Sequence, residues 1–229
     1  MRSGGAASLL ELWERCEPCS ASQRALVLLA WALPDHSVDA LADWDLGSRD
    51  WHLLRLRRRL FGTQLDGYTE CPACGERLEI ELDARQLQDD VEPAPAPEFR
   101  GEDGRRFRLP STRDLIAIEN LDDVEAATQA LVERCALDAP AAMPSPETEA
   151  ALAQLAGERG FRLELSCAAC NEHWLHDFDP GAFLWEEIRA RALELLDEVH
   201  QLASAYGWSE RAILAMSDAR RHCYLERVG

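Results

Sequence analysis

The stretches Cys71-Pro-Ala-Cys74-Gly75 and Cys167-Ala-Ala-Cys170-Asn171 decide the fold of this 229-residue chain. Each contains a Cys-x-x-Cys pair, and each pair borders a short alternating pattern that is typical of a strand. The first pattern is Leu78–Leu82, after the first pair, and the second is Phe161–Leu165, before the second pair. Because closed structural zinc sites use four Cys or Cys/His ligands, we predict one structural Zn²⁺ shared by the two pairs. The predicted ligands are Cys71, Cys74, Cys167 and Cys170.

The residue that follows each pair supports a common turn. Gly75 tolerates the positive φ that such a turn often needs, and Asn171 is among the next most permissive residues. Joining the pairs closes the loop formed by residues 75–166, at a cost on the order of 4 kcal/mol. Structural zinc contributes roughly 10–16 kcal/mol in small peptides, so metal binding outweighs this cost.

Other readings of these thiols stay open from the sequence. The four cysteines can instead be buried or free thiols, or a redox dithiol. The redox reading is weaker because neither pair is predicted at a helix N-terminus after a strand, where a thiolate would be activated. His173 or His176 can replace a cysteine in the metal shell, although we favour an ordinary strand or surface position for both.

The remaining cysteines are predicted to be structural. Cys16 and Cys19 form a third pair, but they lie between two helical patterns without flanking strands, and no further pair remains to complete a site. Cys135 and Cys223 are single residues on apolar faces of predicted helices. We therefore leave all four out of the metal site.

The charge and hydropathy of the chain exclude several classes of function. The formal net charge is -18, which repels phosphate backbones and anionic lipid headgroups, so we expect no nucleic-acid or membrane partner. No apolar run approaches the roughly 20 residues that cross a bilayer, and the N-terminus lacks a signal-peptide pattern. Cysteines in Cys-x-x-Cys pairs are then expected as metal ligands in a reducing cytoplasm.

Helical periodicity dominates outside the two knuckles and predicts an α+β, mostly helical fold. We predict a zinc ribbon split by a helical insertion, with helical N- and C-terminal regions. Helix caps are predicted at Ser20 or Ser22, at Ser111 or Thr112, and at Ser217, and a strand is predicted at 105–109. The predicted regions are an N-terminal helical region at 1–62, the first half of the ribbon at 63–110, a helical insertion at 111–160, the second half of the ribbon at 161–180, and a C-terminal helical hairpin with a short terminal helix at 181–229.

No arrangement of residues predicts an enzyme. The chain has no Ser/His/Asp order, no phosphate-binding glycine loop and no His-Glu-x-x-His helix. The arginine run 55–59 is the one cationic patch, and it is predicted either as a solvated helix face or as a set of partners for internal carboxylates. Tryptophans at several positions, including Trp51 and Trp185, are predicted as core residues in preference to a binding surface.

Several segments together resemble a known family. They are Leu9–Arg15, Leu60-Phe61-Gly62 with the Cys-Pro-x-Cys-Gly knuckle, Phe107–Leu115, the second knuckle, Phe183–Ile188, and the tail Glu198–Leu214 with its Tyr-Gly-Trp-Ser-Glu sequence. With these motifs the chain resembles the zinc-ribbon-bearing relatives of the T-even-type phage baseplate hub assembly chaperone. Those relatives are encoded with contractile phage tails and extracellular contractile injection systems. The resemblance spans nearly the whole chain, and Cys16 and Cys19 are outside its pattern.

The resemblance implies a non-enzymatic, cytoplasmic protein that helps a baseplate assemble, either as a transient chaperone or as a part of the finished particle. Its implied partners are hub or wedge proteins of the baseplate. A zinc-ribbon module that binds nucleic acid is the alternative, which the net charge disfavours. The apolar side of the C-terminal helical hairpin is predicted either to form a groove for a partner or to pack on the ribbon of this chain. The oligomeric state stays open.

Overall fold

The computed structural model describes residues 5–87, 91–102, 104–138 and 145–228. The described chain is mostly helical with three small antiparallel sheets, as the sequence predicts for an α+β protein. The helices are α1 (Ala6–Cys16), α2 (Ala21–Ala32), α3 (Val38–Ala42), α4 (Leu46–Phe61), α5 (Ala84–Leu87), α6 (Thr112–Ile118), α7 (Val124–Cys135), α8 (Pro146–Arg159), α9 (Pro180–Tyr206), α10 (Glu210–Leu214) and α11 (Asp218–Leu225). The strands are β1 (Gln64–Glu70), β2 (Arg77–Asp83), β3 (Phe99–Arg100), β4 (Arg106–Phe107), β5 (Phe161–Ser166) and β6 (His173–Phe178).

The main core joins the N-terminal helices α1 to α4 with the long helix α9. Ser20 begins α2 through a capping box with Gln23, which confirms one of the two predicted caps. The apolar faces of these helices then bury Leu28, Leu53 and Ile188 completely. The full set of buried residues in this cluster is Leu12, Cys16, Ala25, Leu28, Leu29, Trp31, Leu41, Leu53, Leu56, Leu184, Trp185 and Ile188. Residues far apart in sequence therefore share one core, and the N-terminal region is not independent of the C-terminal one.

Two long β-hairpins stand on this core. Strand β1 pairs with β2, and β5 pairs with β6, both in antiparallel register. The feet of the hairpins meet at Leu54 of α4, where Leu65 and Ala84 are buried and Phe161 and Phe178 pack against them. Strand β1 was not predicted, whereas the strands predicted on both sides of the second knuckle are present.

The chain between the hairpins forms a smaller unit with its own core. Phe107 of β4, Val132 of α7 and Leu152 of α8 are buried against one another. The helical region predicted at 111–160 is divided into three helices, since α6 ends at Ile118, α7 begins at Val124 and α8 begins at Pro146. The predicted strand 105–109 is shorter than expected because only two residues pair. Of the Pro-rich stretch 140–146, residues 140–144 lie outside the described residues.

Hydrogen bonds to Asp114 hold this unit together, and a backbone hydrogen bond joins it to the start of α4. Asp114, fully buried at the start of α6, accepts hydrogen bonds from Arg108 at 2.6 and 3.0 Å, from Arg134 at 3.1 Å and from the Ser111 hydroxyl at 2.8 Å. The backbone N–H of Leu46 donates to the Pro110 carbonyl, which brings the same segment against the start of α4. These contacts explain why the Phe-Arg-Leu-Pro segment is followed by an aspartate.

Part of the apolar side of the C-terminal helices packs on α1, an arrangement that the sequence did not predict. Leu195 of α9 is buried against Leu10 of α1, with Leu214 of α10 beside them. Arg221 of α11 is 1% exposed and donates to Glu198 at 2.7 Å, which ties the last helix to α9. Leu195 and Leu214 of the predicted groove thus contact the N-terminal helix, whereas Leu196 and Tyr206 are exposed.

Replacing Asp114 by alanine is expected to destabilise the fold by about 3 kcal/mol, because two arginines lose their shared buried partner. Burial alone would raise the pKa of Asp114, but hydrogen bonds from Arg108 and Ser111 outweigh it and lower the pKa below its usual value. The carboxylate therefore stabilises the fold above about pH 4, and this contribution is lost as the pH falls through the lowered pKa. Urea unfolding of wild type and D114A should accordingly converge at acid pH. Asp138→Ala is the control, since this half-exposed carboxylate pairs with the exposed Arg106 and should cost much less than Asp114 when it is removed.

Gly47 permits the close approach of α4 to the end of α8. A Cβ at position 47 would lie 2.6 Å from the Arg159 Cβ and 2.9 Å from the Arg159 carbonyl oxygen. We expect Gly47→Ala to destabilise the protein by about 1–3 kcal/mol in thermal or urea unfolding. Gly157→Ala is the matched control in α8, since its one close neighbour, the end of the exposed Arg162 side chain, can move away. It should be neutral or stabilise by up to about 1 kcal/mol, and an equal loss in both variants would contradict this account of Gly47.

Candidate metal centre

The two knuckles have the same backbone structure. In the first, the Gly75 N–H donates to the Cys71 carbonyl at 2.9 Å and the Cys71 N–H donates to the Glu76 carbonyl at 2.8 Å. In the second, the Asn171 N–H donates to the Cys167 carbonyl at 2.8 Å and the Cys167 N–H donates to the Glu172 carbonyl at 2.9 Å. Each turn links the two strands of its hairpin. The tips of β1–β2 and β5–β6 are therefore equivalent, as the similar sequences predict.

The residue with positive φ that each turn needs is the one that directly follows the Cys-x-x-Cys pair, as predicted. Gly75 has φ 74° and Asn171 has φ 58°. Asn171 is the one non-glycine residue with positive φ in the described chain. A strained conformation at a residue other than glycine is kept where the surrounding structure requires it, and here it brings a second pair of thiols to a defined point.

The four sulfur atoms converge between the hairpin tips. All four Sγ atoms lie within 4.8 Å of one another. The Sγ atoms of Cys71 and Cys170 are 3.6 Å apart, as are those of Cys74 and Cys167. Four sulfurs around a zinc ion at about 2.3 Å form a tetrahedron with edges of about 3.8 Å. The observed separations therefore fit a tetrahedral metal site, and they exceed the disulfide bond length of about 2.05 Å by far.

Burial and backbone N–H groups distinguish the four thiols. Cys71 and Cys167 are buried, whereas Cys74 and Cys170 are exposed at the tips. The N–H groups of Cys170 and Ala169 lower the pKa of Cys167 to about 7, against the effect of burial. The Glu172 N–H favours the Cys170 thiolate, but the neighbouring thiols and burial outweigh it and raise the pKa of Cys170 to about 12. The first thiolate forms readily, but its neighbours oppose the ionisation of a second thiol. A bound cation would supply the positive charge that allows all four thiols to ionise together.

The other cysteines lie elsewhere. Cys16 is buried in the main core and Cys135 in the smaller core, and burial raises the pKa of each to about 12. The Cys19 thiol donates to the Arg15 carbonyl at 3.2 Å. Cys223 is exposed, so its predicted place on an apolar face is wrong. Within the described ranges, the four knuckle cysteines form the only group of three or more possible metal ligands, and neither His173 nor His176 belongs to it.

The arginine run and the tryptophans have structural roles. Arg57 is 3% exposed and forms a two-pronged ion pair with Glu187 of α9 at 2.6 and 2.8 Å. One of the two predicted roles, internal pairing, therefore holds for this arginine. Trp51 and Trp185 are buried, as the sequence predicts for core residues.

Comparison with models of protein families, with curated proteins and with solved structures gives no match to this chain. Among the described helices, none is long and apolar enough to span a membrane. The function is accordingly inferred from the residues and contacts of this chain.

Gly75→Ala is expected to weaken the first knuckle, because a Cβ is disfavoured at φ 74° by about 1–2 kcal/mol. A Cβ there would meet no neighbour within 4 Å. Any loss of stability in this variant therefore comes from the backbone conformation and not from a steric clash. Asn171→Gly is the converse change and should be neutral or slightly stabilising. Metal affinity, measured by competition with a colorimetric chelator, should fall for G75A and stay unchanged or rise for N171G. Equal affinity in G75A and wild type would contradict the proposed role of this turn.

Proposed function

We propose that Cys71, Cys74, Cys167 and Cys170 bind one structural zinc ion and that the two hairpins form a zinc ribbon divided by a helical insertion. The observation that carries this proposal is the convergence of four sulfur atoms from two matching turns at separations that suit a tetrahedral ion. A closed set of four protein ligands leaves no position for substrate, so the site is of the structural type. The zinc would neutralise the thiolates and hold the tips together.

The purified chain is expected to contain about one zinc per molecule, measured by elemental mass spectrometry. Cys71→Ser and Cys167→Ser should each lose the metal, since each removes a ligand from a different knuckle. Cys223→Ser and Cys16→Ser are the controls and should keep it. Equal zinc loss in Cys16→Ser would refute the ligand assignment, and a coloured protein containing iron would refute the choice of metal.

Removal of zinc is expected to loosen the hairpin tips before the helices. The feet of the hairpins remain packed on Leu54, whereas the main core contains no residue of the knuckles. Chelation should lower the thermal midpoint and make the chain between residues 64 and 83 sensitive to protease, while far-ultraviolet circular dichroism keeps most of its helical signal. Complete loss of helical signal on chelation would show that the metal site and the helices form one cooperative unit.

For the biological role, we propose a non-enzymatic assembly protein for the baseplate of a contractile phage tail or contractile injection system. The support is the sequence resemblance, together with the structural use of its most distinctive segments. Asp114, in the segment Phe107–Leu115, is a buried acceptor of hydrogen bonds from Arg108. In the tail, the rings of Tyr206 and Trp208 stack with centroids 4.5 Å apart. These contacts give both segments a role in packing, which is compatible with a protein that works by presenting surfaces.

The partners implied by this role are hub or wedge proteins of a baseplate, met in the cytoplasm. An affinity-tagged chain purified from cells that carry the tail genes should bring down such components, and the Cys71→Ser variant should bring down less. A deletion of the gene should reduce the number of sheathed particles seen by electron microscopy. Normal numbers of intact particles in a clean deletion would refute the role.

A further inference from the structure

The four knuckle thiols make two contacts that cross from one hairpin to the other. The Sγ atom of Cys71 lies 3.6 Å from that of Cys170. The Sγ atom of Cys74 lies 3.6 Å from that of Cys167. A disulfide bond is about 2.05 Å long, so each pair has to close by about 1.5 Å, a distance that rotation of two cysteine side chains can supply. Each pair is therefore placed to form a disulfide bond between the hairpins when an oxidant reaches it.

Each crossing pair combines a buried cysteine with an exposed one. Cys71 and Cys167 are 2% and 1% exposed, whereas Cys74 and Cys170 are exposed at the hairpin tips. A small oxidant such as hydrogen peroxide therefore reaches the exposed member of each pair first. Oxidation-sensitive cysteines are typically accessible thiolates next to a second thiol, which resolves the oxidised product into a disulfide. Each crossing pair supplies both an accessible thiol and a resolving thiol.

Zinc coordination supplies the thiolate form of cysteine that attacks peroxide, so this step rests on the proposed function. Thiols that ligate a zinc ion are deprotonated, and the thiolate is the nucleophilic form of cysteine. The turn residues beside the exposed thiols, Pro72 and Ala73 in the first knuckle and Ala168 and Ala169 in the second, are exposed as well. The tips therefore present reactive sulfurs to solvent.

We propose that the knuckles are a redox-sensitive link, in which hydrogen peroxide converts the four thiolates into two disulfide bonds that join the hairpins. The bonds are Cys71–Cys170 and Cys74–Cys167. In the first step an exposed thiolate attacks the peroxide, breaks its O–O bond and becomes a sulfenic acid, with release of hydroxide. In the second step the buried thiolate of the same pair attacks the sulfenic sulfur, forms the S–S bond and displaces a second hydroxide. Because thiolates and not disulfides ligate zinc, the ion is released as the second bond forms.

Oxidation then exchanges one link between the hairpins for another. The cysteines of the two pairs are 99 and 93 residues apart in sequence, so each disulfide closes a long loop and holds the first knuckle against the second. Covalent closure of a long loop stabilises a fold mainly by constraining its unfolded chain. A disulfide within one knuckle would close only a short turn and leave the tips unjoined. The crossing bonds keep the hairpins together while the metal leaves.

The test uses the full chain with zinc bound and with Cys223→Ser, so that this exposed thiol cannot join two molecules. Hydrogen peroxide is added, zinc release is followed with a colorimetric chelator, and tryptic peptides are mapped by mass spectrometry without reduction. We expect about one zinc released for about two peroxides consumed. The peptide 60–77 should be linked to the peptide 163–189, whereas disulfides within the knuckles would leave these peptides separate. The oxidised, zinc-free chain should also have a higher thermal midpoint than the reduced, zinc-free chain.

Two double variants, each with one cysteine left in each knuckle, assign the bonds. Cys74→Ser with Cys167→Ser leaves Cys71 beside the exposed Cys170 and should form the disulfide between the hairpins. Cys74→Ser with Cys170→Ser is the matched control, because it leaves two buried thiols, and it should oxidise at least about tenfold more slowly.

The zinc content before oxidation tests the proposed function separately from this inference. A chain purified without zinc would refute the proposed metal site, and the peptide map of its oxidised thiols would still decide the pairing. Zinc retained after peroxide treatment, disulfides confined to single knuckles, sulfinic acids in place of disulfides, or equal oxidation rates in the two double variants would overturn the inference.

Discussion

The convergence of four cysteine sulfurs between two hairpin tips is the constraint that joins two distant stretches of the chain. It requires that residues near 71 and residues near 167 meet within 4.8 Å, although a complete helical unit lies between them in sequence. The hairpins can satisfy this requirement because both stand on the same pair of helices, α4 and α9. The apolar feet thus set the distance between the hairpins, and the cysteine turns set the geometry at their ends.

Ion pairs set the position of the smaller unit, which is the chain between the two hairpins. Arg159 at the end of α8 donates to Asp45 at 2.9 Å and so connects α8 to the start of α4. The pair of Arg108 with Asp114 holds α6 against the segment that precedes it. Such pairs need good geometry to offset the loss of hydration, and they therefore specify orientation more than they add stability. Gly47 serves the same contact by allowing the backbone of α8 to approach. The insertion is held at the side of the core that leaves the two hairpins free to meet.

Local signals predicted the helices and the cysteine turns well. Ser20, Ser111 and Ser217 begin helices where capping chemistry predicts them, and Gly75 and Asn171 adopt the expected left-handed backbone. Strand β1 was not predicted because a glycine and an aspartate interrupt the alternation of apolar and polar residues in its sequence. Its extended conformation depends on pairing with β2. The pairing of Arg57 with Glu187 and of Arg221 with Glu198 was not predicted, because these carboxylates lie 130 and 23 residues away in sequence. The packing of α9 on α1 depends on the same kind of distant contact.

Several arginines of this chain are paired inside the fold. Arg57, Arg108, Arg159 and Arg221 are all paired with carboxylates inside the fold, so the positive charge that the sequence concentrates in α4 is partly withdrawn from the surface. The excess of carboxylates stays outside, and the surface that a partner meets is acidic. Such a surface favours basic proteins and repels phosphate backbones.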